Sequence, residues 1–216
     1  MTTLYRLHGF CQSGNSFKVA FMLRALRQPW EAVFVDYMNG STREAAWRGE
    51  TNEMGEAPVL DDGPKRLTQS GAILTYLARK HGEFGGRSDD EQQEVLRWLL
   101  FDNHKFTSYF ATYRFMKSFG ATVPDPAIMG FLKTRIDGAF GIADKHLATR
   151  RYMVGDAPTI ADISMCAYLC YPPEESGYDI PAQFPNIAKW LDRARAIEGY
   201  APPYEVLPGE RIAPKW

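Results

Sequence analysis

An α/β domain of βαβ-ββα order followed by an all-helical domain is the fold class this sequence predicts, and three observations predict it. Over residues 1–82, short β-type runs alternate with helical stretches and are punctuated by Gly and Pro. A Gly-containing polar connection, residues 83–88, then marks a change of character. From Asp89 onward the apolar residues recur at helical spacing over long stretches. The expected domains are therefore 1–82 and 89–216, joined by a linker over 83–88.

The run Thr3-Leu4-Tyr5-Arg6-Leu7 has β-type residues and stops at Gly9, so it reads as a strand. The helix after it carries Val19, Met22, Leu23 and Leu26 at helical spacing and ends at Pro29. Glu31–Asp36 reads as a second strand. Strand, helix and strand within about 35 residues is the size of a βαβ unit, with parallel strands and a right-handed crossover. Asn39-Gly40 marks a turn, and the polar stretch through Glu53 reads as an irregular helix with loops. A short strand opens at Pro58, where a missing N–H costs little, and Lys65–Thr68 pairs with it as a hairpin. Gln69-Ser70 starts a helix from Gly71 to Lys80, with Ile73, Leu74 and Leu77 inward and Gly82 as its C-cap.

In the second half, Asp89, Asp90 and Glu91 suit the positive end of a helix dipole. Val95, Leu99, Phe106, Phe110 and Tyr113 continue one apolar stripe towards Phe119-Gly120, which predicts one long helix. Pro124 and Pro126 separate it from a second helix with Ile128, Leu132, Ile136, Phe140, Ala143 and Leu147. Thr159 and Asp162 have capping-box spacing, with Pro158 and Ile163 placed as a hydrophobic staple, so a third helix opens there and ends at Pro172-Pro173. Ile187–Ala196 forms another, and the proline-rich tail from Gly199 is expected to be extended and packed on the surface.

Composition narrows the function classes. With 25 basic against 26 acidic residues, nothing steers the chain to nucleic acid or an anionic membrane. No apolar run approaches a membrane span, and the first residues carry no signal-peptide core, so a cytoplasmic protein is expected. Cys11, Cys166 and Cys170 are odd in number and lack metal-finger spacing; the latter two share a helical face as core fillers. His8, His81, His104 and His146 are dispersed, and no metal site is expected.

One turn invites chemistry. Gly9–Ser16 joins the first strand to the first helix, where unpaired backbone N–H groups and the helix dipole favour a phosphate, a carboxylate or a thiolate. Ser13, Asn15 and Ser16 sit where such an anion would dock, although Ser and Asn are equally good N-caps with no further role.

Taken in order, the motifs resemble the cytosolic glutathione transferases from end to end. Ala57-Pro58 resembles their cis-proline loop, Gln69-Ser70 their γ-glutamyl-binding pair, and Thr159-Ile160-Ala161-Asp162 their helix-capping box. Phe184-Pro185-Asn186-Ile187 and Trp190-Leu191 are similar to the family's late helix. The resemblance implies an α/β thioredoxin-like N-terminal domain followed by an all-α C-terminal domain that carries the electrophile pocket. It further implies a homodimer that uses glutathione as cosubstrate and no metal.

Ser13-Gly14-Asn15-Ser16-Phe17-Lys18-Val19 resembles the segment where theta-like members carry a catalytic Ser and nu-like members an Asn. This implies Ser13 as first donor to the glutathione sulfur and Asn15 as second, with Ala57, Pro58, Gln69 and Ser70 holding the tripeptide. A thiol titrates near pH ~8.5, and lowering that by about 2 units needs roughly 2.7 kcal/mol, within reach of one or two buried hydrogen bonds plus the dipole. Cys11 competes for the role, because omega-like and beta-like members use a cysteine in this region. Glu56 departs from the Lys or Gln of many relatives, which leaves Arg43 and Lys18 as candidates for the glycine carboxylate and Asn103 for a contact across a dimer.

The acceptor is an apolar electrophilic small molecule. Its pocket is expected between the thiol turn and the first long helix, among His104, Phe106, Tyr109, Phe110, Tyr113, Arg114 and Phe115, led by Tyr113 and Tyr109. The function that follows is glutathione transfer. The alternatives are a glutathione-dependent disulfide reductase or deglutathionylase, a glutathione-dependent isomerase, and a non-catalytic glutathione-binding regulatory protein.

Overall fold

A computed structural model describes residues 4–216, so Thr3, where the expected first strand begins, lies outside the described residues. The chain forms two compact units. One holds the residues up to Glu83 together with Glu198–Arg211, the other Phe84–Ile197 together with Ile212–Trp216.

The first unit is a thioredoxin-like βαβ-ββα domain. Its elements are β1 (Tyr5–Gly9), α1 (Gly14–Ala25), β2 (Trp30–Phe34), a short α2 (Ala45–Glu50), β3 (Val59–Asp62), β4 (Lys65–Thr68) and α3 (Ser70–His81). The four-stranded sheet runs in the order β2-β1-β3-β4, with β1 parallel to β2 and antiparallel to β3, and β3 antiparallel to β4. Tyr5, Leu7, Val59 and Leu60 bury their side chains from the sheet, and Ile73, Leu74 and Leu77 from α3 join the same core. Gly82 ends α3 in the left-handed conformation, the C-cap expected of it.

Helix α1 differs from an ordinary amphipathic surface helix, because nearly all its residues are buried. Besides β1 and α3, the tail packs against it. Tyr200 meets Phe17 and Phe21 edge-on at 6.3 and 5.5 Å, and Arg24 Nε donates to the Gly199 carbonyl at 2.6 Å. Gly199 has φ +88°, and a Cβ there would lie 2.6 Å from the backbone carbon of Arg24, so the tail approaches α1 this closely only as glycine. Pro203–Val206 makes a helical turn, and Pro203 and Leu207 are buried. The expected extended surface segment over 198–211 is thus a packed part of the first unit. Tyr200, Pro203 and Leu207 have apolar area to bury, and α1 offers the surface.

In the second unit, the long helix read from the sequence is continuous but contains a π-helical turn. Helix α4 (Asp89–Phe101) passes through a π-helical turn at Asp102–Phe106 into α5 (Thr107–Ser118). The wide turn coincides with a buried carboxylate: Asp102 accepts from the Thr107 hydroxyl and from Ser164 Oγ, the latter at 2.6 Å. A continuous stripe of apolar residues carries no signal of that inserted turn.

Helix α6 (Pro126–Leu147) starts at Asp125, whose carboxylate accepts from the Ala127 N–H at 2.7 Å. Helix α7 (Ile160–Cys166) is buried throughout and carries the capping box that the spacing of Thr159 and Asp162 predicts. A 3₁₀ turn, Ala167–Cys170, prolongs it towards Pro172-Pro173. A short α8 (Ile180–Gln183) precedes α9 (Pro185–Arg195), which buries Ile187, Trp190, Leu191 and Ala194. Cys166 and Cys170 are buried neighbours and not disulfide-bonded; their mutual hydrogen bond and burial push the Cys166 thiol well up, which keeps it protonated.

Asp162 does more than cap. Its Oδ1 accepts from Met153 N and Trp190 Nε1, both at 2.8 Å, and its Oδ2 accepts from Thr159 N at 2.9 Å. One carboxylate therefore ties α7, the preceding loop and α9. Burial pushes this carboxyl above the ordinary range, and the donors oppose that shift. Asp162→Ala leaves those donors buried without an acceptor. Urea denaturation should show a loss of about 3–5 kcal/mol, and Asp162→Asn a smaller one. A loss in Asp162→Ala under about 1 kcal/mol would contradict the anchoring role.

Candidate active site

Sheet register gathers the candidate residues of the first unit. His8 pairs with Val59, and Val59 with Thr68, so the end of β1, the start of β3 and the end of β4 lie at one edge of the sheet. The turn after β1 carries Ser13 and Asn15, the loop before β3 carries Ala57-Pro58, and the junction after β4 carries Gln69-Ser70. Residues far apart in sequence thus converge through strand pairing alone.

Ser13 is the N-cap of α1 and is nearly buried; its Oγ accepts from Ser16 N at 3.0 Å. That bond uses an oxygen lone pair and leaves the hydroxyl hydrogen available for donation, so capping and thiol activation are compatible in one side chain. Asn15, in the first turn, is half-buried, and its Oδ1 accepts from Ser70 Oγ at 3.4 Å, which joins the first turns of α1 and α3. The Asn15 amide nitrogen keeps its donor hydrogens.

The Ala57–Pro58 peptide is cis, as the sequence predicts. Gln69 is exposed and has φ +65° and ψ +111°, a conformation that a side-chain-bearing residue adopts at a cost of about 1–3 kcal/mol. Its Nε2 donates to Glu56 Oε2 at 2.8 Å. Glu56, where the sequence departs from many relatives, thus pins the Gln69 side chain to the cis-proline loop. Neither the strained backbone nor this contact has a signal in residue spacing.

Cys11 lies apart from these donors in its surroundings. It is fully buried, its N–H donates to the Pro208 carbonyl at 2.9 Å, and its thiol points to the Glu210 carbonyl at 3.5 Å. Gln12 Nε2 donates to the same carbonyl at 2.5 Å. Gly209 passes over the sulfur with φ +112°, and a Cβ there would meet Phe34 at 3.0 Å and Cys11 Sγ at 3.3 Å. The returning tail covers this cysteine.

The other residues named from the sequence fall as follows. Lys18 is buried and Arg43 exposed. Next to the candidate edge, Arg66 forks onto Asp61 at 2.7 and 3.0 Å, and His8 Nε2 lies 2.9 Å from Asp61 Oδ2. The Arg66 hydrogen bonds hold the Asp61 carboxyl below the usual range, so this group is a charged structural clasp. Among the described residues, no group of three or more His, Cys, Asp or Glu gathers as metal ligands.

In the second unit, a cavity of about 380 Å³ is lined by Phe110, Arg114, Tyr168, Tyr171, Tyr178 and Arg195, among others. Phe110 and Arg114 belong to the set the sequence singled out. Arg114 is engaged: its Nε and Nη2 donate to buried Glu175 at 2.9 and 2.5 Å, and its guanidinium lies 3.8 Å from the Tyr171 ring centre. Tyr113 stands edge-on to Tyr178 at 5.7 Å, and neither it nor Tyr109 lines the cavity. Phe106 is core, packed on Phe140 at 4.6 Å, while Asn103, His104 and Phe115 are exposed.

Comparison with known proteins agrees with this architecture. Residues 7–86 match the family model for the glutathione S-transferase N-terminal domain, and residues 131–198 the model for the glutathione S-transferase C-terminal domain. A glutathione S-transferase from Pseudomonas fluorescens Pf-5 is similar in structure with a TM-score of 0.84 at 30% identity, over 93% of this chain and 99% of that one. Glutathione S-transferase F14 of Arabidopsis thaliana is 25% identical over 84% of this chain and 75% of its own length. Ure2p in complex with glutathione shares the fold at 22% identity, with a TM-score of 0.82 over 96% of this chain and 99% of that one. The chain belongs to the glutathione S-transferase family.

The cover over Cys11 has a measurable consequence. In the native protein Cys11 should react with an aromatic disulfide reagent at least about tenfold more slowly than in urea, because a buried thiol is inaccessible to the reagent. Gly209→Ala should raise the native rate, read by mass spectrometry of the labelled Cys11 peptide. Equal labelling of Cys11 in the native parent and the unfolded chain would show that the tail does not cover it.

Proposed function

We propose that this protein is a glutathione transferase that activates the glutathione thiol for attack on an apolar electrophile. The observation that carries the reading is the convergence, at one sheet edge, of the unspent Ser13 hydroxyl hydrogen, the Asn15–Ser70 pair and the cis Ala57–Pro58 peptide. Membership of the family supports it, and so does the glutathione held by the fold relative Ure2p.

On this reading the Ala57 backbone meets the cysteinyl part of glutathione as a neighbouring strand would. Ser70, at the N-terminus of α3, binds the γ-glutamyl carboxylate with its backbone N–H and with its hydroxyl, which turns from Asn15 Oδ1 to donate to it, and Gln69 bonds the adjoining polar groups. Ser13 donates to the sulfur, assisted by Asn15 and the positive end of α1, so the thiol loses its proton to solvent near neutral pH. The thiolate electron pair then forms the S–C bond, and the electrophile's leaving group departs with its own pair. Glutathione is consumed as cosubstrate, and no step calls for a metal ion. The aromatic cavity of the helical unit supports an apolar acceptor. A cytoplasmic setting belongs to the same reading.

Ser13→Ala should lower kcat/KM towards a chloronitroaromatic acceptor by about 10²–10³-fold, and the ultraviolet absorbance of bound thiolate should titrate at higher pH. Ser13→Asp keeps an N-cap acceptor but has no hydrogen to donate, so it should lose activity while folding normally. Cys11→Ala should stay close to the parent. The opposite pattern, activity lost with Cys11 and kept without Ser13, would establish thiol–disulfide exchange as the chemistry.

The active form is a homodimer. Leu96 and Leu100 on α4 and Ile128, Phe131 and Ile142 on α6 form exposed apolar stripes at helical spacing, with exposures of 47–62%. A second copy of the chain covers them. Leu100→Asp combined with Phe131→Asp should halve the mass measured by light scattering; a monomeric parent, or an unchanged dimer in the variant, would refute this interface.

A further inference from the structure

Several arginine and lysine side chains in this protein meet carboxylates: Arg6 with Glu31, Arg66 with Asp61, Arg97 with Glu94, Lys133 with Asp137, and Arg114 with Glu175. A group in the helical unit does not. An open concavity of about 480 Å³ between the end of α6 and the face of α9 is lined by Thr149, Arg150, Arg151, Asn186, Lys189 and Arg193, among others. None of those four cations meets a carboxylate at ion-pair distance among the described residues; the partners they have are backbone carbonyls and a ring.

The group is also partly ordered. Lys189 and Arg193 are four apart on α9 and share a face. Arg193 Nε donates to the Arg151 carbonyl at 2.8 Å, which orients the guanidinium and leaves its terminal nitrogens unspent. Asp144 and Glu94 are committed to other partners. Asp144 accepts from Asn186 N, Ile187 N and Asn186 Nδ2 at 2.8, 3.0 and 2.9 Å, so it satisfies the start of α9. Glu94 is held by Arg97, and Arg150 acts on it only as a more distant charge. In a chain whose formal net charge is −1, this local concentration of positive charge in a concavity is an attractor for anions.

We propose that this concavity binds a multiply charged phosphate group, of the di- or triphosphate class. Guanidinium forks match tetrahedral oxyanions with paired hydrogen bonds, and lysine adds a point charge. A single phosphate brings only about −2 at neutral pH, so balancing this group takes more than one phosphate. No aromatic ring is among the lining residues to stack a base, so recognition ends at the phosphates. Free triphosphate and a nucleoside triphosphate therefore bind alike. The inference is independent of the glutathione reading, since it uses none of the same residues.

Titration calorimetry of the full chain with sodium tripolyphosphate, at physiological ionic strength, tests it. One saturable site per chain is expected, weakened at least about tenfold in Lys189→Glu and in the same direction, by less, in Lys189→Gln. Arg193→Gln should lose a comparable factor, while Arg48→Glu, in the other unit, should leave the affinity unchanged. Adenosine triphosphate should bind as tightly as tripolyphosphate, and citrate at the same concentration far more weakly. No saturable binding, an unchanged affinity in both Lys189 variants, equal binding of citrate, or binding of the nucleotide alone would each overturn the proposal.

Discussion

The antiparallel register of β3, held between β1 and β4, is the constraint on which the candidate site depends. It sets Val59 between His8 and Thr68, and thereby fixes three chain crossings at one edge of the sheet. Everything placed there follows from what the chain must do next. After β1 it turns into α1, before β3 it enters through a cis proline, and after β4 it bends through a left-handed Gln69 into α3. Slipping β3 by one residue would exchange its two faces and withdraw all three crossings from one another.

At that edge, two sulfur-directed possibilities are separated by the partners of their side chains. Ser13 and Asn15 keep donor hydrogens in a turn that already has its capping bond. Cys11, two residues earlier, lies beneath the returning tail with its backbone and thiol directed at Pro208 and Glu210. A thiol in that setting is inaccessible, whereas the Ser13 hydroxyl has a hydrogen to donate. The same tail that buries Cys11 also covers α1 through Tyr200, so the arrangement of the turn and the stability of the domain are linked.

The helical unit is organised by buried carboxylates. Asp162 gathers donors from α9, from its own N-cap and from the preceding loop, while Asp102 takes hydroxyls from α5 and α7 at the π-helical turn. Buried carboxylates are tolerated because several donors converge on each, and each specifies one arrangement of its helices. Exposed charge is distributed differently. Around Lys189 and Arg193 the cations have no carboxylate at ion-pair distance among the described residues, and Asp144 and Glu94 serve other partners.

By itself the sequence determined what local chemistry determines. Element order, the parallel βαβ unit, the Lys65–Thr68 hairpin, the Gly82 cap and the Thr159–Asp162 capping box are written in periodicity and in residues with a narrow conformational use. The residues of the candidate site were legible for the same reason, since Ser13, Pro58 and Ser70 mark turns and helix starts. Only the tertiary structure decided what rests on contacts between distant segments. The π-helical turn at Asp102 coincides with a contact to Ser164, 62 residues away. The strain at Gln69 is coupled to Glu56, and the cover over Cys11 comes from a tail nearly 200 residues later, |i−j| being 199 for its contact with Glu210. The α4 stripe continues into α5 as though unbroken, and the tail's proline-rich composition suits an exposed strand as well as a strap. Spacing reports which face of an element is apolar, and it carries no information about which distant surface that face will meet.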